Sequence, residues 1–177
     1  MELKNKMILQ IEKAVKEDAK QIIDYLNIVG GESDNLLFGA NEFVISLEAE
    51  ENFIESINQS EASAFFIGKI EEEIICVGSI MASSRNRIAH HSELAISVKK
   101  KYWGMGVGTH LMQTMIDYAK NSKITEILHL GVRSDNELAI QLYKKMGFEE
   151  YGRFDKFFKI DGAYYDEVLM KVNLREK

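Results

Sequence analysis

The chain has no proline, and no repeat, linker or low-complexity tract interrupts its 177 residues. It has one cysteine, Cys76, so an internal disulfide is excluded. That cysteine lies in the apolar run IICVG, which reads as a buried structural thiol rather than a nucleophile. No run of about 18 apolar residues occurs, so no transmembrane helix is expected. The N-terminal stretch MELKNKMILQIEKAV lacks the apolar core and small-residue cleavage site of a signal peptide, which makes the cytoplasm the expected compartment. Basic residues are outnumbered, 22 against 28 acidic, for a formal charge of −6. That balance disfavours a nucleic-acid partner and mildly favours a cationic or amine-bearing one. His90, His91, His110 and His129 have no metal-site spacing, and one cysteine cannot complete a thiolate cage, so no metal is expected.

What is present suits one globular domain over 1–177, 46% hydrophobic and 28% charged. MILQIEK alternates apolar and polar residues, which predicts a first strand over roughly 6–12. AVKEDAKQIIDYLNIV has helical spacing and ends at Gly30-Gly31. SLEAEENFIESIN predicts a helix with Ser46 as N-cap, acidic residues in its first turns and an apolar side of Leu47, Phe53, Ile54 and Ile57. ASAFFIGKI, EIICVGSIMAS and RIAHHSELAISV read as a three-strand meander. A helix to about Ser122 follows, with Val107, Leu111, Met115 and Ala119 on its apolar face and Met112 and Ile116 alongside. Next come the short strand EILHLGV and the helix SDNELAIQLYKKMGF, closed by Gly147, with Ser134 and Glu137 at capping-box spacing. The tail reads as two strands around a turn at Asp161-Gly162. This order predicts a mixed sheet with helices on its faces rather than a regular doubly wound fold.

The stretch KKYWGMGVGTHLM places Gly104, Gly106 and Gly108 between a strand and a helix. Each glycine costs conformational entropy. A strand, a glycine turn and a helix N-terminus together make an anion site, because unpaired N–H groups converge there and the helix dipole adds to them. A P-loop is excluded, since no Lys-Ser/Thr follows the turn. The dinucleotide pattern G-x-G-x-x-G is not matched by G-x-G-x-G. A K/Q/R-x-x-G-x-G turn for the pyrophosphate of an acyl-CoA remains, beside the plain alternative of a tight strand–helix junction.

A second motif, VRSDNELAIQLYKKMGF, puts Asn136 at a helix start and Tyr143 seven residues on. That is about two helical turns, so the two share a face. Asn136 can donate to and accept from an amide-bearing ligand, and Tyr143 carries a phenolic proton. A core tyrosine beside Leu142 and Met146 is the competing reading.

These two motifs resemble the Gcn5-related N-acetyltransferase (GNAT) superfamily, closely from about His91 to Val172 and in element order before that. The family's Q/R-x-x-G-x-G/A signature falls on Lys101 to Gly106, with Lys101 in place of the usual Gln or Arg. Its N-x-x-A-x-x-L-Y-x-x-x-G-F element is complete in Asn136, Ala139, Leu142, Tyr143, Gly147 and Phe148. The ending IDGAYYDEVLMKV and the stretch RNRIAHHSELAISV also look like a broad subgroup that acetylates free amino acids, related small amines or ribosomal proteins. The resemblance implies a mixed α/β (α+β) domain whose mostly antiparallel seven-stranded sheet is splayed between strands 4 and 5, flanked by about four helices. It also implies an acetyl-CoA-dependent N-acetyltransferase acting on a small-molecule amine or a protein N-terminus, without an acyl-enzyme. A homodimer, common among such enzymes, stays open. A non-catalytic acyl-CoA-binding module and a nucleotide-binding protein are the competing classes.

Carried onto this sequence, the resemblance gives Ile96, Ser97 and Val98 to the pantetheine arm. It gives Lys101, Trp103, Gly104, Met105, Gly106, Val107, Gly108 and Thr109 to the pyrophosphate, and Asn136 and Ala139 to the arm's other side. Tyr143 is the implied acid for the leaving thiolate, protonated at an unshifted pKa of about 10. For the base, Glu93 acting through water, His90 and His91 are the candidates; a solvated carboxylate and surface histidines are the alternatives. Glu32, Asp34 and Glu42 either line the acceptor cleft or sit in a solvated loop. Tyr151, Phe154, Phe157, Phe158, Tyr164 and Tyr165 either line the site or a dimer surface, or belong to the core and sheet face.

Overall fold

A computed structural model describes Leu3 and residues 7–175. The chain runs β1 (Leu9–Lys13), α1 (Ala19–Gly30), α2 (Leu47–Asn58), β2 (Ala64–Ile70), β3 (Glu73–Ala82), β4 (His91–Val98), α3 (Val107–Ser122), β5 (Ile127–Arg133), α4 (Glu137–Lys145), β6 (Glu149–Ile160) and β7 (Ala163–Asn173). The seven strands form one sheet in the order β1-β2-β3-β4-β5-β7-β6. Among the described residues only β4 and β5 are parallel neighbours; every other pair is antiparallel. Mixed layers with helices on both faces are what the element order predicts. β1 begins at Leu9 rather than near residue 6, and Lys6 lies outside the described residues.

The parallel pair is short. Pairing covers His91↔Ile127, Ser92↔Leu128 and Glu93↔His129, and then stops. Beyond it β4 runs on to Val98, bonded only to β3, and β5 runs on to Arg133, bonded only to β7. The sheet is therefore open between the C-terminal halves of β4 and β5, as the resemblance implies.

Two cores cover the two faces. On one, Val107, Leu111, Met112, Met115, Ile116 and Ala119 of α3 pack with Leu94, Leu128, Leu130, Val132, Tyr143, Val168 and Met170. On the other, Ala19, Ile22, Tyr25, Leu26 and Val29 of α1 pack with Ile54, Ile57, Phe65, Ile67 and Val77. Strand side chains alternate between faces. Leu94 therefore points to the α3 side, and His91, Glu93, Ala95 and Ser97 point to the α1/α2 side.

Two local expectations are corrected. The apolar side of α2 is narrower than predicted: Ile54 and Ile57 are buried, Leu47 and Phe53 are exposed, and Glu50 is buried on that side instead. Four-residue spacing from Ile54 puts Glu50 on the buried stripe. Its burial raises the proton affinity of its carboxyl. The capping residue of α4 is Asn136, not Ser134: Asn136 Oδ1 accepts from Ala139 N at 3.3 Å, while the Ser134 amide donates to Asp166 O at 2.9 Å. Gly30 and Gly31 end α1 as expected, both with negative φ. Gly30 is small because residue 39 packs on it: a Cβ there would lie 2.5 Å from the Gly39 carbonyl oxygen.

Other expectations hold at atomic detail. Ser46 caps α2 by accepting from Ala49 N at 3.1 Å. At the end of α4, Gly147 has φ +89°, its amide donates to Lys144 O at 3.0 Å, and the Phe148 amide donates to Tyr143 O at 2.9 Å. That bond pair is a Schellman closure. Asp161 and Gly162 both have positive φ, as a two-residue hairpin turn requires. Cys76 is buried, and burial pushes its thiol up to about 12, so it is inert as a nucleophile.

Candidate active site

β4 supplies a row of polar groups to the open gap. The Lys99 amide donates to Ile75 O at 2.9 Å, toward β3. Backbone groups alternate along a strand. The main-chain groups of Ser97 therefore also face β3, and those of Ile96 and Val98 face the gap. Ile96 and Val98 lie beyond the last β4–β5 pair. Ser97 does not face the gap, and its hydroxyl pairs with Tyr25 OH at 3.0 Å on the α1 side. The Val98 carbonyl is also engaged, accepting from Trp103 Nε1 at 2.7 Å. That bond fixes the half-exposed indole against the strand end.

The glycine turn follows. Gly104 has φ +73° and Gly106 φ +93°, conformations that cost an L-residue about 1–2 kcal/mol. No atom lies within 4 Å of a Cβ on Gly104, and the nearest to one on Gly106 is His110 Nε2 at 3.8 Å. Their backbone, not a local clash, demands glycine, and the space above them is open. Gly108 is different: a Cβ there would lie 3.1 Å from Leu142 Cδ2, so its small size lets α3 and α4 approach.

Gly106 is the N-cap of α3 and has no side chain to cap it. The amides of Val107, Gly108 and Thr109 precede the helix's own ladder, whose first bond is His110 N to Gly106 O at 3.1 Å. Val107 is buried and Met105 half-buried in the α3-side core, so these two side chains anchor the turn. Lys101 turns away from it. Its ammonium lies 3.2 Å from Glu73 Oε2 and over the Tyr102 ring, while Lys99 takes Glu73 Oε1 at 2.7 Å.

On α4, Asn136 Oδ1 is used as the helix cap, and Ala139 is half-buried one turn on. Tyr143 is buried against Phe148, with ring centroids 6.0 Å apart. Burial alone raises its phenol well above the ordinary range, so it is protonated at any physiological pH. Among the described residues no hydrogen bond involves its hydroxyl.

The α1/α2 side of the gap carries the titratable groups. Glu93 is exposed at the last paired position, opposite His129. His91 Nδ1 lies 3.3 Å from His129 Nε2, and the His90 ring is edge-on to His91. Burial, then the neighbouring His91, lowers the proton affinity of His129. His91 is therefore engaged, and His90 turns its carbonyl to the amides of Glu126 and Ile127 at 2.6 and 3.1 Å. Of the acidic loop residues, Glu32 accepts from Lys100 N at 2.6 Å and Glu42 from Gly39 N at 2.8 Å. Both carboxylates pin backbone. The Asp34 carbonyl accepts from Arg133 Nη1 at 2.9 Å, which ties the loop after α1 to the end of β5. In the last hairpin, Phe158 is buried while Phe154, Phe157, Tyr151 and Tyr164 are exposed.

Two residues escape the motifs: Arg133 and Glu167. The Arg133 guanidinium bonds Asp135 at 2.6 and 3.1 Å and lies 4.5 Å over the Tyr165 ring. Glu167 projects over Gly131. Alternation in VRSD and YYDEVLM would have put both on one face, but only once the β5–β7 register was known.

The model of the Acetyltransferase (GNAT) family matches residues 35–148. The chain belongs to this family. Curated relatives include an N-alpha-acetyltransferase of Sulfurisphaera tokodaii, 34% identical over 55% of this chain and 63% of that protein. The L-amino acid N-acetyltransferase AaaT of Escherichia coli is 32% identical over 57% of this chain and 62% of its own length. The chain thus spans less than two thirds of either relative. A solved acetyltransferase of the GNAT family from Streptococcus pneumoniae superposes with a TM-score of 0.91 at 28% identity, covering 94% of this chain and 99% of that one. The fold is shared further with yncA of Salmonella typhimurium, solved with its cofactor acetyl-CoA, at a TM-score of 0.82 and 18% identity over 96% and 95% of the two chains. Among the described residues no group of three or more His, Cys, Asp or Glu is arranged to hold a metal ion, and no helix is long and apolar enough to cross a membrane.

Proposed function

We propose that this family member transfers the acetyl group of acetyl-CoA directly to a primary amine, on a small molecule or a protein N-terminus, in the cytoplasm. One observation carries the reading. β4 and β5 part after Glu93 and His129, and the gap runs from inward-facing backbone groups at Ile96 and Val98 to the uncapped, glycine-lined start of α3. An extended pantetheine fits the gap as an added strand would, and a pyrophosphate fits the helix N-terminus. Relatives named for L-amino acid, spermidine and N-alpha acetylation support an amine acceptor.

The roles follow from position. The amides of Gly104 to Thr109 hold the pyrophosphate, with Trp103 fixing the turn to β4. Lys101 contributes through its backbone, because its ammonium is held by Glu73. Asn136, its Oδ1 used in the cap, offers its Nδ2 to the arm beside Ala139. An inward N–H of β4 polarises the thioester carbonyl. Tyr143, kept protonated by burial, donates to the sulfur as negative charge builds there. Glu93, on the opposite face of the gap, stands where a base acting through water would, and its charge draws an ammonium group in.

The test is thiol release from acetyl-CoA with spermidine, free L-amino acids and an alanine-terminated peptide as acceptors. Release with at least one acceptor, slowed about 100-fold or more in Tyr143→Phe, is expected. Tight acetyl-CoA binding with no release from any acceptor would make the protein a non-catalytic acyl-CoA-binding module.

A further inference from the structure

The acceptor-facing side of the gap holds a second carboxylate that the motifs do not explain. Leu128, Leu130 and Val132 lie in the α3-side core, so alternation turns His129, Gly131 and Arg133 to the opposite face. Val168 and Met170 lie in that same core, which puts Glu167 on the face of Gly131. The Glu167 carboxylate leans across from β7 and fills the space that a Cβ on Gly131 would occupy. Gly131 is the second residue beyond the last β4–β5 pair, so this carboxylate borders the mouth of the gap.

Among the described residues no hydrogen bond or ion pair meets the Glu167 carboxylate. Its cross-strand neighbour Arg133 is turned to Asp135, to the Asp34 carbonyl and over Tyr165. Lys171, further along the same face of β7, lies 3.8 Å from Glu149. His129 on β5 has a lowered proton affinity and is bonded to His91 of β4. The opposing residue on β6 is Phe154, which is apolar. The remaining charged neighbour, Glu93 of β4, is negative. Two carboxylates on one face of the gap, neither in an ion pair among the described residues, are complementary to an ammonium group.

We propose, resting on the acetyl-transfer reading above, that Glu167, rather than Glu93 acting through water, is the base that takes the proton from the acceptor's ammonium, with Glu93 helping to hold that group. The ammonium proton passes to the Glu167 carboxylate. The freed nitrogen lone pair forms the C–N bond to the acetyl carbonyl carbon. The C–S bond breaks with its electron pair on sulfur, and sulfur takes the proton of Tyr143. The second amine proton, acidified by C–N bond formation, returns through water to Tyr143, and Glu167 gives its proton to solvent. Ammonium and thioester thus become amide, thiol and one released proton. Burial, then the charge of Glu93, holds the Glu167 carboxyl above the ordinary carboxylate range, which makes it a better base than an exposed glutamate.

The test compares wild type with Glu167→Gln, Glu93→Gln and Gly131→Ala. The pH profile of kcat and kcat/KM is measured with whichever of spermidine, free L-amino acids and the alanine-terminated peptide turns over. Acetyl-CoA affinity and thermal midpoint are measured in parallel. Glu167→Gln is expected to lose roughly 100-fold or more in kcat at unchanged acetyl-CoA affinity, and to lose the acid limb of the profile. Glu93→Gln is expected to act mainly on the KM for the amine and to move that limb to lower pH, because a like charge is removed. Gly131→Ala displaces the carboxylate without removing it and should lower kcat while leaving the fold intact. A Glu167→Gln enzyme within threefold of wild type, or one that keeps the acid limb, overturns the proposal. Titration of 13C-labelled glutamate carboxyls decides independently of any acceptor. Glu167 should titrate above the surface glutamates and fall in Glu93→Gln, and an ordinary value overturns its assignment. Absence of turnover with every amine would instead refute the acetyl-transfer reading.

Discussion

The two strands of the parallel pair each feed a helix, and the two junctions are built differently. After β5, the chain turns into α4 through Asn136, whose side chain closes the helix N-terminus on itself. After β4, it turns into α3 through Gly104 and Gly106, both left-handed, with no side-chain cap and open space above. A side-chain cap is worth about 1 kcal/mol, so leaving one out has a cost that a bound anion can offset. The closed junction positions α4 and its buried Tyr143. The open junction leaves the first amides of α3 uncapped, and it is the one proposed to take the ligand.

Substitutions at each junction should separate these roles. The largest effect is expected from Tyr143→Phe, which keeps the packing against Phe148 and removes the proton: kcat should fall about 100-fold or more, with acetyl-CoA affinity unchanged by calorimetry. Gly106→Val comes next. A β-branched residue at φ +93° is strained and crowds the phosphate, so acetyl-CoA should bind about 10–100-fold more weakly, as a penalty of 1–3 kcal/mol implies. Asn136→Ala removes the closed junction's cap, and a loss of about 1 kcal/mol should lower the thermal midpoint by about 2–4 °C in a scanning measurement. Lys101→Gln should change least. Its exposed ammonium is paired with Glu73 rather than aimed at the turn, so acetyl-CoA affinity should stay within about threefold.

The open junction was legible in the sequence because its glycines are local signals. So was the helix closure at Gly147, and so was the face of α3, where every predicted apolar position is buried. The residues around the gap's far side were less legible. Ser97 sits among the cofactor candidates by sequence, yet strand alternation and its bond to Tyr25 turn it elsewhere. Glu50 reads as one of several acidic first-turn residues, and only the packing of α2 reveals that it is buried. Arg133 and Glu167 are 34 residues apart in sequence but paired across β5 and β7, so no local pattern joins them. Register is a long-range property, fixed by which face of each strand the core covers.

The central claim is that the gap and the uncapped helix start form one acyl-CoA site. Its most direct test follows backbone amide signals by NMR while acetyl-CoA, ATP or NAD is added to the 15N-labelled protein. Acetyl-CoA should bind most tightly and shift Ile96, Val98 and the amides from Gly104 to Thr109 together, while leaving β1 unmoved. Tighter binding of ATP, or acetyl-CoA shifts that avoid Ile96 and Val98, would contradict it.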